Sequence, residues 1–298
     1  MEPVEFEILN CLSSHLYSRM TFPSFRVALE SVSSDGRYSA IGASCLGQPA
    51  GLVIAESKGR QTGILSLYVD RAHRGRGLAT SLLQRIEEHV TRLGSNSLRI
   101  GYLEKSEQSA ALERVLQKCG WPAPVPHKVY ATFRPSRMLE APFMKDYELP
   151  AGFEMVLWRD LTESQRDMLR EECDRADWIP YRLIPFRYEV NMETRNSLAL
   201  LINGRVVGWQ LTQQLQPEVL TYSCSYVHPQ MQTHGLIFKM YVETVRLQSR
   251  LIPEFPSACL VVPMDFTSMV AFVRRRFAPF LDRLTCFRES IKLRGRSP

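Results

Sequence analysis

The sequence predicts an α+β fold arranged as two tandem domains. Three observations predict it. Strand-like and helix-like segments are mixed along the chain. At residues 65–93 an apolar strand runs into a basic turn with two glycines and then into an amphipathic helix. A stretch of the second half aligns with that turn without a gap, at an offset of 158 residues. The length of 298 residues suits two domains of ordinary size, and a hydrophobic content of 45% is ample for packed cores.

The stretch at 65–93 organises the first half. Leu65, Leu67 and Val69 alternate with Ser66, Tyr68 and Asp70 at the period of a strand. Leu78, Leu82, Leu83, Ile86, Val90 and Leu93 then fall at helical spacing. Such a junction is an anion cradle. The first amides of the helix have no partner within it, and the aligned peptide dipoles place partial positive charge there. Gly75 and Gly77 let the backbone approach a phosphate and adopt positive φ. Arg71, Arg74 and Arg76 add cations. The predicted ligand is a polyphosphate anion.

The spacing selects among phosphate-binding turns. A dinucleotide fingerprint requires a third glycine where Thr80 stands, and a P-loop requires a lysine that this turn lacks. Arg74, Gly77 and Ala79 instead form R-x-x-G-x-A directly after the strand. This resembles the acyl-CoA signature of the GNAT superfamily of N-acyltransferases, as does the surrounding YVDRAHRGRGLATSLL. The resemblance implies a mixed, mostly antiparallel sheet flanked by helices in each domain. It implies acyl-CoA, acetyl or longer, as acyl donor, and no metal. It also implies direct attack of a primary amine on the thioester, with no acyl-enzyme. The backbone at Leu67 and Val69 would align the pantetheine arm, and Arg74, Gly75, Arg76, Gly77, Leu78, Ala79 and Thr80 would hold the diphosphate.

The acid and base are less legible. Many relatives carry a tyrosine on the helix after the fifth strand, seven residues beyond an asparagine; here those positions are Leu116 and Ser109. Tyr68, in the motif strand, and Glu104, at the end of the neighbouring strand where the two should splay, are the candidate catalytic residues. A surface ring and a solvated carboxylate are the plain alternatives. Cys224 has no His/Asp arrangement to support it as a nucleophile.

In chain order, residues 6–9 read as a first strand, 11–20 and 25–32 as short helices, and 38–44 and 50–56 as strands around a Gly47-Gln48 turn. After the central helix, 98–104 reads as a strand. Residues 109–118 read as a helix with Ala111, Leu112, Val115 and Leu116 inward, and 129–133 as the last strand of the first domain. Three prolines at 135, 142 and 150 mark a linker. The expected domains are 1–140 and 153–298, joined by a linker at 141–152.

The second half repeats the first. LYVDRAHRGRGLA meets SYVHPQMQTHGLI, pairing Tyr68 with Tyr226, Arg74 with Gln232 and Gly77 with Gly235. Ile237 stands where the signature has Gly or Ala, and a β-branched side chain there should crowd a pyrophosphate. The second turn also lacks arginine. The first domain is therefore expected to hold the coenzyme, and the second to keep the fold for another purpose, such as binding the acceptor. The second domain's first helix opens with a capping box, Thr162 to Gln165. Four aromatics with interleaved arginines at 178–188 either line a groove for an acyl chain or peptide, or pack onto the sheet.

Composition excludes other classes. No run approaches a membrane span, and the N-terminus lacks a signal-peptide build. Seven scattered cysteines form no C-x-x-C pair, which argues against a disulfide framework or zinc site and for a reducing cytoplasm. A net charge of +6, spread along the chain with no nucleic-acid-reading motif, argues against a nucleic-acid partner. The expected activity is acyl transfer from acyl-CoA to an amine-bearing small molecule or peptide. A non-catalytic acyl-CoA sensor or scaffold is the alternative.

Overall fold

A computed structural model describes residues 3–32, 36–104, 106–144, 148–175 and 178–293. The strands are β1 (Val4–Ile8), β2 (Tyr38–Cys45), β3 (Gln48–Lys58), β4 (Gln61–Val69), β5 (Ser97–Leu103), β6 (Val125–Phe133), β7 (Phe153–Leu157), β8 (Leu198–Ile202), β9 (Arg205–Gln216), β10 (Val219–Val227), β11 (Ser257–Pro263) and β12 (Arg283–Leu293). The helices are α1 (Pro23–Glu30), α2 (Leu78–Arg92), α3 (Ser106–Lys118), α4 (Pro135–Leu139), α5 (Glu163–Arg175), α6 (Leu236–Ser249) and α7 (Thr267–Phe272). The chain divides into two compact units: Met1–His127 with Phe287–Pro298, and Lys128–Cys286.

In the first unit β1 to β4 form an antiparallel meander, and α2 is the crossover that lays β5 parallel to β4. The apolar stripe of α2 is why it packs: Leu82, Leu83, Ile86 and Val90 are each 0% exposed against one face of the sheet, with α3 beside them. Each such burial contributes roughly 1.5–3 kcal/mol. The opposite face packs Leu52, Ile54 and Leu65 on Tyr17 and on Leu29 of α1. The second unit repeats the plan. β7 to β10 are an antiparallel meander, and α6 crosses over to lay β11 parallel to β10.

The sixth strand of each unit comes from the other half of the chain. Phe287–Leu293 of β12 runs antiparallel to β5, from Phe287↔Leu103 to Leu293↔Ser97. Lys128–Phe133 of β6 runs antiparallel to β11 in the second unit, from Lys128↔Pro263 to Phe133↔Ala258. The strand expected at 129–133 therefore forms, but not as the last strand of the first sheet. The segment expected to be a linker is also built into the second unit: α4 and a 3₁₀ turn at Pro142–Met144 bury Met138, Ala141 and Met144 beside β6 and α6.

Other departures have local causes. Residues 14–20 form a 3₁₀ helix rather than α-helix, and Ala111 is exposed, leaving Leu112, Val115 and Leu116 as the inward face of α3. Three of the four aromatics at 178–188 pack onto their own sheet, while Tyr181 is exposed. Trp178, Phe186 and Tyr188 join the core around Trp209, whose Nε1 donates to Leu183 O at 3.0 Å. The capping box forms: Gln165 N donates to Thr162 Oγ1 at 3.3 Å, and Thr162 N to Gln165 Oε1 at 2.9 Å. Among the described residues no helix is long and apolar enough to cross a membrane, and no group of three or more His, Cys, Asp and Glu side chains is placed to hold a metal ion.

Candidate active site

The parallel ladder between β4 and β5 runs only from Gln61↔Ser97 to Ile64↔Ile100. At the next residue β4 bulges: Ile54 of β3 pairs with Ser66 and Ala55 with Ile64, so Leu65 is the extra residue. The strict alternation expected from Leu65 breaks here. Leu65 packs on the α1 face, while Leu67 and Val69 face α2. Beyond the bulge the β5-facing edge of β4 has no ladder partner among the described residues, so the backbone from Leu65 to Val69 is open on that edge.

The turn after Val69 is tied at both ends. Asp70 N donates to Ala50 O at 2.9 Å, and Asp70 Oδ1 accepts from Ala72 N at 2.9 Å. Arg74 Nε donates back to Val69 O at 3.1 Å, with its guanidinium carbon 6.0 Å from the centre of the Tyr68 ring. Gly75 and Gly77 have φ of +80° and +83°, values that side chains rarely accept. A Cβ at either would meet nothing within 4 Å, so the space above the turn is open. The first bond of α2 is Ser81 N to Gly77 O at 3.0 Å. The amides of Leu78, Ala79 and Thr80 therefore have no partner inside the helix, and they lie at its positive end. Leu78 is buried and Ala79 packs on the core, which fixes the amides in place. The residues expected to hold a diphosphate, Arg74 to Thr80, thus lie together in this turn and the first turn of α2, next to the unpaired stretch of β4.

The two candidate catalytic side chains are placed separately. Tyr68 is 37% exposed, on the α1 face of β4. Glu104 follows β5 and accepts from Arg288 Nη1 at 3.4 Å. No hydrogen bond joins Tyr68 and Glu104 among the described residues. Leu116, at the position where relatives carry a tyrosine, is 0% exposed in the core beside α2.

The structure adds a cluster that the sequence concealed. Tyr102 lies on β5 two residues past the last rung with β4, and its hydroxyl donates to Glu113 Oε1 of α3. Burial first, and then the Glu113 carboxylate, push the Tyr102 phenol far above its usual value. Arg288 Nε stands 3.5 Å from Glu113 Oε1, and Arg288 Nη2 donates to Pro124 O at 2.7 Å. Arg288 arrives on β12, 184 residues from Glu104, and no local spacing announces it. Tyr102, at the C-terminal end of a strand beside the motif strand, is the one signal that was available.

The second unit preserves this geometry at the offset of 158. Its ladder ends at Tyr222↔Leu260, and β10 bulges at Ser223, between Tyr222↔Thr212 and Cys224↔Leu211. Gln232 Nε2 donates to Val227 O at 3.0 Å, the bond Arg74 makes to Val69, and Gly235 has φ of +68°. Ile237 turns into the core rather than over the turn.

Residues 9–121 match the acetyltransferase (GNAT) family model. Over these residues, in the first unit, the chain is similar to the GNAT acetyltransferases. It is similar over 99% of its length to a tandem GNAT protein from the clavulanic acid biosynthesis pathway, at 14% identity, covering 100% of that chain with a TM-score of 0.67. It is similar over 99% of its length to a GCN5-related N-acetyltransferase from Sphaerobacter thermophilus, at 15% identity, covering 98% of that chain with a TM-score of 0.63. A glucosamine N-acetyltransferase region of a fungal multi-domain GH3 β-N-acetylglucosaminidase aligns with 98% of this chain, at 13% identity, covering 38% of that chain with a TM-score of 0.62. These likenesses establish the tandem GNAT fold. No curated protein sequence matches the chain.

Proposed function

We propose that the chain is a cytoplasmic N-acyltransferase that moves an acyl group from acyl-CoA to a primary amine, in a ternary complex formed on the first unit. The observation that carries this reading is the coincidence of the two devices on one strand. β4 has its last rung with β5 at Ile64 and ends, five residues later, in a turn with open space above its two glycines. An anion held at Leu78 to Thr80 extends its arm along the unpartnered edge of β4, where a backbone N–H is available to the thioester oxygen. An ammonium acceptor gives one proton to a base and attacks the carbonyl as the free amine. The C–S bond then breaks, and the second nitrogen proton ends on the departing thiolate. Glu104 is proposed as the base and Tyr68 as the acid that passes the second proton to the thiolate. A cysteine acyl-enzyme fits poorly: burial pushes the Cys224 thiol up to about 12 and raises Cys119 as well.

Free-thiol release from acetyl-CoA and longer acyl-CoAs, over a panel of small amines, amino acids and lysine peptides, tests the reading. Gly77→Glu places a bulky anion in the cradle and should abolish both coenzyme binding and turnover. Turnover that survives the substitution removes the assignment. The buried Leu116, in place of a phenol, favours a second reading as a non-catalytic acyl-CoA sensor. Tight coenzyme binding with no thiol release on any amine distinguishes it.

A further inference from the structure

The second unit contains a cavity of about 820 Å³ beside the Gly235 turn, a size that suits a sizeable organic ligand. Four phenylalanines stand together in its wall. Phe238 and Phe272 lie 4.6 Å apart between ring centres, Phe143 meets Phe272 at 5.7 Å, and Phe143 meets Phe280 at 6.0 Å. Phe277, 1% exposed, stacks on Phe143 at 5.0 Å and fixes that wall from behind.

The mouth is cationic. After α7 the chain makes a π-helical turn, Val273–Phe277. Its two ends are buried, so Arg274, Arg275 and Arg276 all turn to solvent. Arg275 and Arg276 line the cavity, and among the described residues neither makes a hydrogen bond or an ion pair. Glu148 is the one carboxylate among the described lining residues. Adjacent guanidiniums repel one another, and π-helical turns occur frequently at functional sites.

We infer that this cavity binds a long-chain fatty acid anion, with the alkyl body among the phenylalanines and the carboxylate at Arg275 and Arg276. A bare phosphate would leave the phenylalanine wall unused. Phe, Leu236, Leu149 and prolines make up most of the described lining, which suits an alkyl body better than the polar edge of a purine. An alkyl carboxylate uses both halves of the site. The inference concerns the second unit and stands apart from the coenzyme reading of the first.

Calorimetric titration of the full chain with palmitate, with coenzyme A and with inorganic phosphate tests it. One palmitate per chain is expected. Arg275→Glu with Arg276→Glu, both at exposed positions, should weaken palmitate by on the order of tenfold or more and leave coenzyme affinity unchanged. Arg275→Lys with Arg276→Lys should recover part of the loss. Gly77→Glu should leave palmitate binding intact, so failure of the coenzyme assignment reads out separately. The proposal is overturned if palmitate does not bind, or if its affinity is the same in the charge-reversed variant. It is equally overturned if coenzyme A or phosphate is the probe that the charge reversal displaces.

Discussion

Gly77→Ala isolates the cradle from every other property of the first unit. The residue has φ of +83°, and its absent Cβ would meet nothing within 4 Å. The structural cost is therefore backbone strain alone, about 1–2 kcal/mol for an L-residue in the left-handed region. The functional cost is different in kind. The new methyl group occupies the space that the amides of Leu78 to Thr80 face, and the strain tilts the start of α2. Hydrogen bonds from amides to a charged acceptor contribute about 1.5–3 kcal/mol each. Loss of two of them weakens coenzyme A by roughly two to four orders of magnitude. Calorimetric titration with coenzyme A reads the affinity, and thermal unfolding reads the strain. Gly47→Ala and Gly235→Ala are the controls: both glycines have left-handed φ and open space around the missing Cβ. They should show the same modest loss of stability with unchanged coenzyme affinity. Equal affinity in Gly77→Ala and wild type refutes the argument, as does a loss confined to Gly235→Ala.

Glu104→Gln and Tyr68→Phe should each lower kcat by about 10²–10⁴-fold with the coenzyme dissociation constant unchanged; a variant with normal kcat has no part in proton transfer. Lys292 Nζ lies 2.8 Å from Glu87 Oε2, and the Glu87 side chain is only 2% exposed. Lys292→Met therefore leaves a buried carboxylate without its cation and should cost about 3 kcal/mol, seen as an earlier urea transition at Trp121, whose Nε1 donates to the same carboxylate. In the second unit the hydrogen bonds from Arg195 hold Glu193 below the usual carboxylate range. A depressed carboxyl contributes stability that is complete above its unfolded value and is lost as pH falls through its folded one. Glu193→Gln should thus melt earlier than wild type near neutral pH, and the difference should vanish in acid; a difference that persists at low pH contradicts this.

What the sequence disclosed and what it hid differ in range. The strand–turn–helix unit was legible because its parts are consecutive: strand, two glycines and helix specify one another within thirty residues. The duplication was legible for the same reason. The bulge at Leu65 was not, because an extra residue in a ladder is defined by the partner strand and leaves the local pattern apolar. The partnership of β6 with β11 and of β12 with β5 was hidden more deeply. A strand's periodicity says which face is buried, never which edge it joins. The prolines at 135, 142 and 150 imitated a linker, while Met138, Ala141 and Met144 between them were core residues. Arg288 and its contacts with Glu104 and Glu113 depend on that same long-range pairing.

The two turns together explain the leading residue of the signature. Arg74 in one and Gln232 in the other spend a side-chain N–H on the carbonyl that ends the strand, Val69 O and Val227 O. Arginine and glutamine share that donor and little else, so the position closes the turn, and charge is an addition that one copy carries. Shape and electrostatics are therefore separable in this fold. The first unit keeps the turn and places Arg71, Arg74 and Arg76 within it. The second keeps the same bulge, hydrogen bond and left-handed glycine with neither arginine nor lysine in the turn, and carries three consecutive arginines on the π-helical turn after α7. Erosion of a signature thus need not close its pocket: Ile237 turns into the core, and an open cavity remains beside Gly235. A duplicated scaffold that preserves geometry while moving its charges is free to present two different chemistries from one architecture.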